Sequence, residues 1–227
     1  MRSHASPEPR ALKRHQLVYL HPSRWDDVLR RQPETDSVDP FVRSWAHKDW
    51  PLVARRPLPH ETGGIPLGIP LPPSAGKRRV PIVVQPEDIL AIHEPGTLAS
   101  ARGQAPEQWQ RIIDLMQVFA ADHHVELQVF GSLAWQSLTG LQYLSETSDI
   151  DVLLRIHLAA DIDLLSSEIS RIDNASPSRI DGEFVRPDGL GVNWREFLSD
   201  PMDVLVKSME GVTLFDRKRF VAGDSLP

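Results

Sequence analysis

The pattern of hydrophobic and polar positions changes its character once along the chain. Up to about residue 85 the apolar runs are short and broken by proline. RHQLVYLHP (14–22) reads as a short strand stopped by Pro22, and Trp25–Arg31 as a brief helix. In GGIPLGIPLPPSAGKRRVPIVVQP (63–86), prolines at 66, 70, 72 and 73 forbid helix. They are expected to confine any strand there to an edge or a bulge. Val80–Val84 reads as a strand. Beyond residue 85 the periods lengthen. A helix is expected from Pro86 (PEDILAIH) and a second from Pro106, with proline at the first helical position. In the second, Ile112, Leu115, Met116 and Phe119 recur at helical spacing and predict one apolar face. A strand at 125–130, a turn at Gly131-Ser132 and a helix at 133–141 follow. Next come a buried strand at 148–156 and a helix at 161–175 with Leu164, Leu165, Ile169 and Ile172 inward. Two strands are then joined around Pro187-Asp188-Gly189, and the tail mixes a helix with a short strand. The expected fold class is α+β. A disordered tail (1–12) and a small, proline-rich, mostly β domain (13–85) precede the main domain (86–227).

Composition sharpens this division. Thirteen of the 20 prolines precede residue 86. Residues 1–85 hold 14 Lys+Arg against 8 Asp+Glu, a balance of +6; residues 86–227 hold 11 against 23, or −12. A basic part joined to an acidic part suggests that one holds an anionic ligand and the other a cation. The overall charge of −6 argues against nucleic acid as a partner, since non-specific duplex binding rests on positive charge. There are no cysteines, which excludes disulfides, thiolate metal sites and cysteine nucleophiles. No apolar run approaches ~20 residues, so no membrane span is expected. The N-terminus lacks the apolar core of a secretory signal, and a cytoplasmic protein is the expectation.

The candidate chemistry lies in VFGSLAWQSLTGLQYLSETSDIDVLL (129–154). Gly131 at a strand-to-helix junction lets a phosphate approach the backbone, Ser132 offers a hydroxyl, and the first helical N–H groups point the same way. Asp149 and Asp151 are two apart on a strand and project from one face, while Ile150 and Val152 face the core. Carboxylates that close repel unless a cation sits between them, and hard oxygen ligands suit Mg²⁺. Asp181 in RIDGEF would add a third carboxylate from a later strand, with Glu183 competing for the role. Arg55, Arg56, Lys77, Arg78 and Arg79 form a basic set suited to phosphate. A second Asp-x-Asp, Asp161 and Asp163, lies on a helix, where its members diverge and cannot chelate together. His123-His124 reads as a helix end, and Trp109, Trp135 and Trp194 as core.

A hydrophobic residue, Gly-Ser, a helix, Asp-x-Asp and a third acid on a later strand resemble the nucleotidyltransferase superfamily with the polymerase-β-like palm. Here these are Phe130, Gly131, Ser132, Asp149, Asp151 and Asp181. The 16 residues between Ser132 and Asp149 exceed the usual spacing, and the surplus is assigned to the loop around Tyr143–Thr147. RRPLP (55–59), GIPLGIPLP (64–72), GKRRVPIVV (76–84) and RIDGEF (179–184) narrow the resemblance. Together with the core motif they are similar to the holo-acyl-carrier-protein synthases of malonate decarboxylase, the phosphoribosyl-dephospho-CoA transferases. That resemblance implies a Mg²⁺- or Mn²⁺-dependent enzyme with Asp149, Asp151 and Asp181 as catalytic and metal-binding residues. Its implied partners are triphosphoribosyl-dephospho-CoA and the malonate decarboxylase acyl carrier protein. Its implied reaction is attack of a carrier serine on the precursor with release of pyrophosphate. The residues alone also admit another nucleotidyltransferase using an NTP, or a non-catalytic binding module on the same fold.

Overall fold

A computed structural model of the chain describes residues 12–32 and 39–226; the tail expected at 1–12 lies, but for Leu12, outside the described residues. The chain divides into two compact units. One comprises Met1–Leu71 and Arg78–Glu94, the other Pro72–Lys77 and Pro95–Pro227. Among the described residues no helix is long and apolar enough to cross a membrane.

The first unit is built on an antiparallel five-stranded sheet in the order β4-β3-β2-β1-β5. Its strands are β1 (Leu17–Leu20), β2 (Leu52–Ala54), β3 (Ile65–Pro70), β4 (Arg79–Val84) and β5 (Ile89–His93). Two short helices accompany them, α1 (Trp25–Arg30) and α2 (Pro40–Ser44). Trp25, Trp45, Leu52, Leu67, Ile69 and Ile82 are wholly buried.

Two expectations need correction here. The helix expected at Pro86 is a single 3₁₀ turn, Pro86–Asp88, followed by β5. Asp88 is wholly buried, takes the Gln85 N–H at 2.8 Å, and is paired with Arg24 (3.0 Å) and Arg31. This closed turn commits the chain to leave as a strand, and β5 joins β1, so the first unit runs to Glu94. The other correction concerns proline. β3 carries Pro66 and Pro70 yet lies inside the sheet, between β4 and β2. The Pro66 carbonyl accepts the Arg55 N–H at 3.2 Å, past the end of β2. Its ring nitrogen therefore faces the short strand's side, where no ladder bond is required. Against β4, Pro66 pairs with Val83 and Pro70 with Arg79, positions that exchange no hydrogen bonds, while Leu71 donates to Arg78 at 2.9 Å.

The second unit carries a mixed six-stranded sheet, β11-β10-β9-β8-β7-β6. It is formed by β6 (Glu126–Val129), β7 (Ile150–Arg155), β8 (Ile180–Val185), β9 (Gly191–Asn193), β10 (Asp203–Lys207) and β11 (Val212–Asp216). Helices α3 (Leu98–Ala101), α4 (Gln110–Asp122), α5 (Gly131–Thr139), α6 (Ile162–Asn174) and α7 (Arg217–Ala222) complete it. β7 and β8 run parallel, and the other neighbours are antiparallel. A parallel pair needs a crossover, and α6 supplies it.

One sheet face takes the core. Ile150, Val152 and Leu154 of β7 and Ile180 and Phe184 of β8 bury against Ile112, Ile113, Met116 and Phe119 of α4 and Ile162, Leu165 and Ile169 of α6. Two helical faces are rotated from expectation. Leu115 is exposed and Ile113 takes its place; Leu164 is exposed and Ile162 goes inward. Trp109, Trp135 and Trp194 are all buried, as expected. Because side chains alternate along a strand, Asp151, Asp181 and Glu183 emerge on the face opposite the core.

Gly182 keeps the core face of β8 flat. A Cβ there would stand 2.9 Å from Trp194 Cδ1, 3.0 Å from Leu154 Cδ1 and 3.2 Å from Val152 Cγ2. These neighbours are packed side chains with little room to yield. Gly182→Ala is expected to destabilise the protein by about 1–3 kcal/mol, read as a lower urea midpoint with an unchanged slope.

Candidate active site

The site grows from one register. β7 and β8 pair Asp151 with Asp181 directly, Ile150 with Ile180 and Val152 with Gly182. Two carboxylates 30 positions apart in the chain thus stand side by side on the face opposite the helices. Asp149 lies one residue before β7, where Ile150 donates to the Arg179 carbonyl at 2.8 Å. It is close enough to act on the Asp151 carboxyl.

Gly131 is the floor under Asp151. It has φ +63°, and a Cβ built on it would fall 1.8 Å from Asp151 Oδ2 and 2.5 Å from Cγ. Glycine is required here twice, for the left-handed backbone and for the space. The Ser132 backbone N–H, at the start of α5, donates to the Asp151 carboxylate. In this state the N-terminus of α5 holds a carboxylate of its own chain.

Burial, then the Asp181 charge and then Asp149, push the Asp151 carboxyl up from its ordinary 3.8 to about 7. The Ser132 N–H and the Lys77 ammonium oppose that rise. Lys77 belongs with this unit, on the Pro72–Lys77 turn, with φ +49° and its N–H on the Pro72 carbonyl at 3.1 Å.

Supporting residues surround Asp181. Asn193 Nδ2 donates to Asp181 Oδ1 at 2.9 Å, and Arg179 approaches the same oxygen at 3.9 Å. Asp173, near the end of α6, accepts the Ile180 N–H at 2.7 Å and pairs with Arg195 at 2.7 Å. Arg195 also donates to the Ile180 carbonyl at 2.6 Å. The first residue of β8 is thereby fixed at both its N–H and its C=O. Glu183 shares the Asp181 face but is buried and paired with Lys207 at 2.6 Å. Of the two acids in RIDGEF, Asp181 is the one set beside Asp151. Strand alternation alone identifies neither Asn193 nor Asp173. The visible signal for Asn193 is its place as the capping residue of Asn-Trp-Arg-Glu, where its Oδ1 accepts the Arg195 N–H at 3.0 Å.

The structure therefore brings Gly131, Ser132, Asp149, Asp151, Asp181 and Lys77 together in the second unit. Arg55, Arg56, Arg78 and Arg79 lie in the first. Arg55 is engaged there: it donates to the Leu67 carbonyl (2.8 Å) and the Arg56 carbonyl (2.9 Å) and forks onto the Glu61 carboxylate. Four of its five N–H groups are used, so Arg55 is a strut of the sheet rather than an open phosphate donor. Arg78 reaches Asp39 at 3.1 Å, and the Arg79 stem lies across Gly68. Asp161 caps α6 by accepting the Leu164 N–H at 3.0 Å, and Asp163 pairs with Arg217, so the second Asp-x-Asp is divided between two structural roles. His123, at the end of α4, meets Glu168 at 2.8 Å. Among the described residues no three His, Cys, Asp or Glu side chains converge as a ready metal cage. The donor set around Asp151 is nevertheless all carboxylate oxygen, crowded at a cost that a dication would remove.

A carboxylate pair over a strand-to-helix glycine, on the sheet face opposite the helices, makes a candidate acid-centred site on an α+β domain. Comparison with known proteins narrows this class. Residues 97–218 match the phosphoribosyl-dephospho-CoA transferase MdcG C-terminal domain, and residues 13–95 match the MdcG N-terminal domain. A phosphoribosyl-dephospho-CoA transferase of Bradyrhizobium diazoefficiens is 41% identical over 210 residues, covering 92% of each chain. One from Xanthomonas campestris is 34% identical over 205 residues, 90% of this chain and 94% of that protein. One from Azotobacter vinelandii is 28% identical over 196 residues, 79% and 87%. No solved structure matches. The chain belongs to the MdcG family of phosphoribosyl-dephospho-CoA transferases.

The raised Asp151 carboxyl gives a signed prediction. The folded protein holds its proton more tightly than the unfolded chain. Its contribution is thus complete below pH 3.8 and is lost as pH rises to about 7. A rise from 3.8 to about 7 sets an upper bound of ~4 kcal/mol, and partial solvent screening reduces it to ~2. Asp151→Asn imitates the protonated form. In EDTA it is expected to equal the parent protein at pH 4 and to exceed it by ~2 kcal/mol at pH 8, measured by urea unfolding.

Proposed function

We propose that the protein transfers the phosphoribosyl-dephospho-CoA group from triphosphoribosyl-dephospho-CoA to a serine of the malonate decarboxylase acyl carrier protein. The observation that carries this reading is the parallel register of Asp151 with Asp181 over Gly131, in a chain of the MdcG family. In this reading the second unit is a polymerase-β-like nucleotidyltransferase palm, and the protein works in the cytoplasm. The serine oxygen forms a bond to the α-phosphorus of the precursor, the bond to the pyrophosphate oxygen breaks, and the hydroxyl proton leaves to a carboxylate of the site.

Asp149, Asp151 and Asp181 would hold Mg²⁺ or Mn²⁺. When bound, the metal supplies charge neutralisation for the phosphates and the developing negative charge. The chain's own residues do the rest. Asp181 stands beside Asp151 to receive the serine proton. Gly131 and Ser132 offer backbone to the phosphate once Asp151 turns from the Ser132 N–H. Lys77 carries a positive charge to the carboxylates and suits the precursor's phosphates; Arg56, Arg78 and Arg79 of the first unit are residue types suited to phosphate as well. Positioning and charge stabilisation dominate such a transfer.

The deciding experiment incubates the apo carrier subunit with precursor and Mg²⁺ and measures intact mass. The expected result is a carrier heavier by the prosthetic group, with pyrophosphate released. Labelling from ATP instead, with none from the precursor, would assign the chain to the NTP-using nucleotidyltransferases. Asp151→Ala is expected to lower transfer roughly 100- to 1,000-fold. Near-parental transfer by that variant in saturating Mg²⁺ would remove the carboxylate from the chemistry.

The basic residues are tested separately, with no carrier present. Lys77→Ala is expected to weaken precursor binding roughly 10- to 150-fold, the value of a charged hydrogen bond. Unchanged affinity by calorimetry would take Lys77 out of the phosphate site.

A further inference from the structure

Asp181 is a carboxylate with two oxygens, and among the described residues only one has a partner. Oδ1 accepts from Asn193 Nδ2 at 2.9 Å and faces Arg179 at 3.9 Å. The sheet order is β9-β8-β7, so Asn193 on β9 and Asp151 on β7 flank Asp181 from opposite sides. In register, Asn193 stands opposite Glu183 and is the diagonal neighbour of Asp181 on the same face. Binding Oδ1 toward β9 therefore leaves Oδ2 on the side of Asp151.

The amide's orientation is also fixed. Asn193 Oδ1 accepts the Arg195 N–H at 3.0 Å, so the end presented to Asp181 is the NH₂ donor. Arg195 is itself held by Asp173 and by the Ile180 carbonyl. A continuous set of bonds thus runs from the end of α6 through Arg195 and Asn193 to Asp181. The amide is neutral, so it steadies the carboxylate without cancelling its charge and without adding a fourth acid to the cluster.

We infer that Asn193 is a positioning residue that holds Asp181 by one oxygen and presents the other beside Asp151 for ligation. The inference rests on the metal reading proposed above. Two functions of Asn193 are separable by chemistry. Its Oδ1 caps the 3₁₀ turn Trp194–Ser199, a task that serine performs as well. Its NH₂ steadies Asp181, a task that neither serine nor alanine can perform.

The test is calorimetric titration of Mn²⁺ into the full-length protein and its Asn193→Ser and Asn193→Ala variants, with thermal unfolding alongside. Both variants are expected to bind Mn²⁺ roughly 10- to 100-fold more weakly, the usual cost of losing a hydrogen bond behind a metal ligand. Asn193→Ser should keep the parental melting temperature, while Asn193→Ala should melt lower because it also loses the cap. Parental Mn²⁺ affinity in Asn193→Ser would overturn the inference and leave the residue as a cap alone. A parent protein that binds no Mn²⁺ would instead overturn the metal reading, and the inference with it.

Discussion

Two carboxylates are forced together on neighbouring strands, and much of the second unit answers that one repulsion. Asp151 and Asp181 meet because β7 and β8 are parallel and in register. Like charges so placed favour protonation, and burial adds to the effect at Asp151. The structure opposes the cost from several directions. The Ser132 N–H and Lys77 act on Asp151, while Asn193 and Arg179 act on Asp181. These contacts relieve the repulsion without abolishing it, since Asp151 still holds its proton to about pH 7. A site left short of positive charge in this way is suited to receive a cation from outside.

The strain is tolerable because the opposite sheet face is so well filled. Trp194 packs where Gly182 leaves space, and its indole N–H reaches the Ile180 carbonyl at 3.2 Å. The Asp173–Arg195 pair closes on the same residue of β8. Core packing and polar clamp thus converge one position before Asp181. Rigid supports of this kind let a carboxylate be placed by its strand rather than by its own flexible torsions.

Much of this arrangement was legible from sequence, and the failures have physical causes. The alternation around Asp149-Ile150-Asp151-Val152 correctly sent Ile150 and Val152 to the core, because successive side chains of a strand point to opposite faces. The strand-to-helix junction at Gly131 was likewise visible. The Pro86 segment misled because a proline followed by acids marks the first turn of a helix and of a 3₁₀ turn alike. What decided between them was Asp88, buried between two arginines distant in sequence. Prolines 66 and 70 misled because the rule against interior proline assumes that both sides of a strand need hydrogen bonds. Beside a three-residue neighbour they do not. Leu115 and Leu164 misled because each helix offered more apolar residues than its face could bury. Asn193 has no period to mark it, and its one sequence signal, a cap before Trp-Arg-Glu, does not point to Asp181.

The crossover from β7 to β8 has a consequence for how this chain can lengthen over time. Asp173 fixes Ile180 as the first residue of β8, so one residue inserted between Ile180 and Asp181 would reverse the alternation. The acid would then turn into the helical layer and a neighbour would take its place outside. Gains and losses there must be even-numbered or absorbed in a bulge. The stretch before Asp149 is under no such parity. It leaves α5 through Gly140 at φ +72° and is tied back by the Gln136 side chain, which takes the N–H groups of Tyr143 and Leu144 at 3.1 Å each. Slack can accumulate beyond that tether without reaching the strand. Variation in length among descendants of this gene should therefore collect ahead of the first aspartates and be rare ahead of the last.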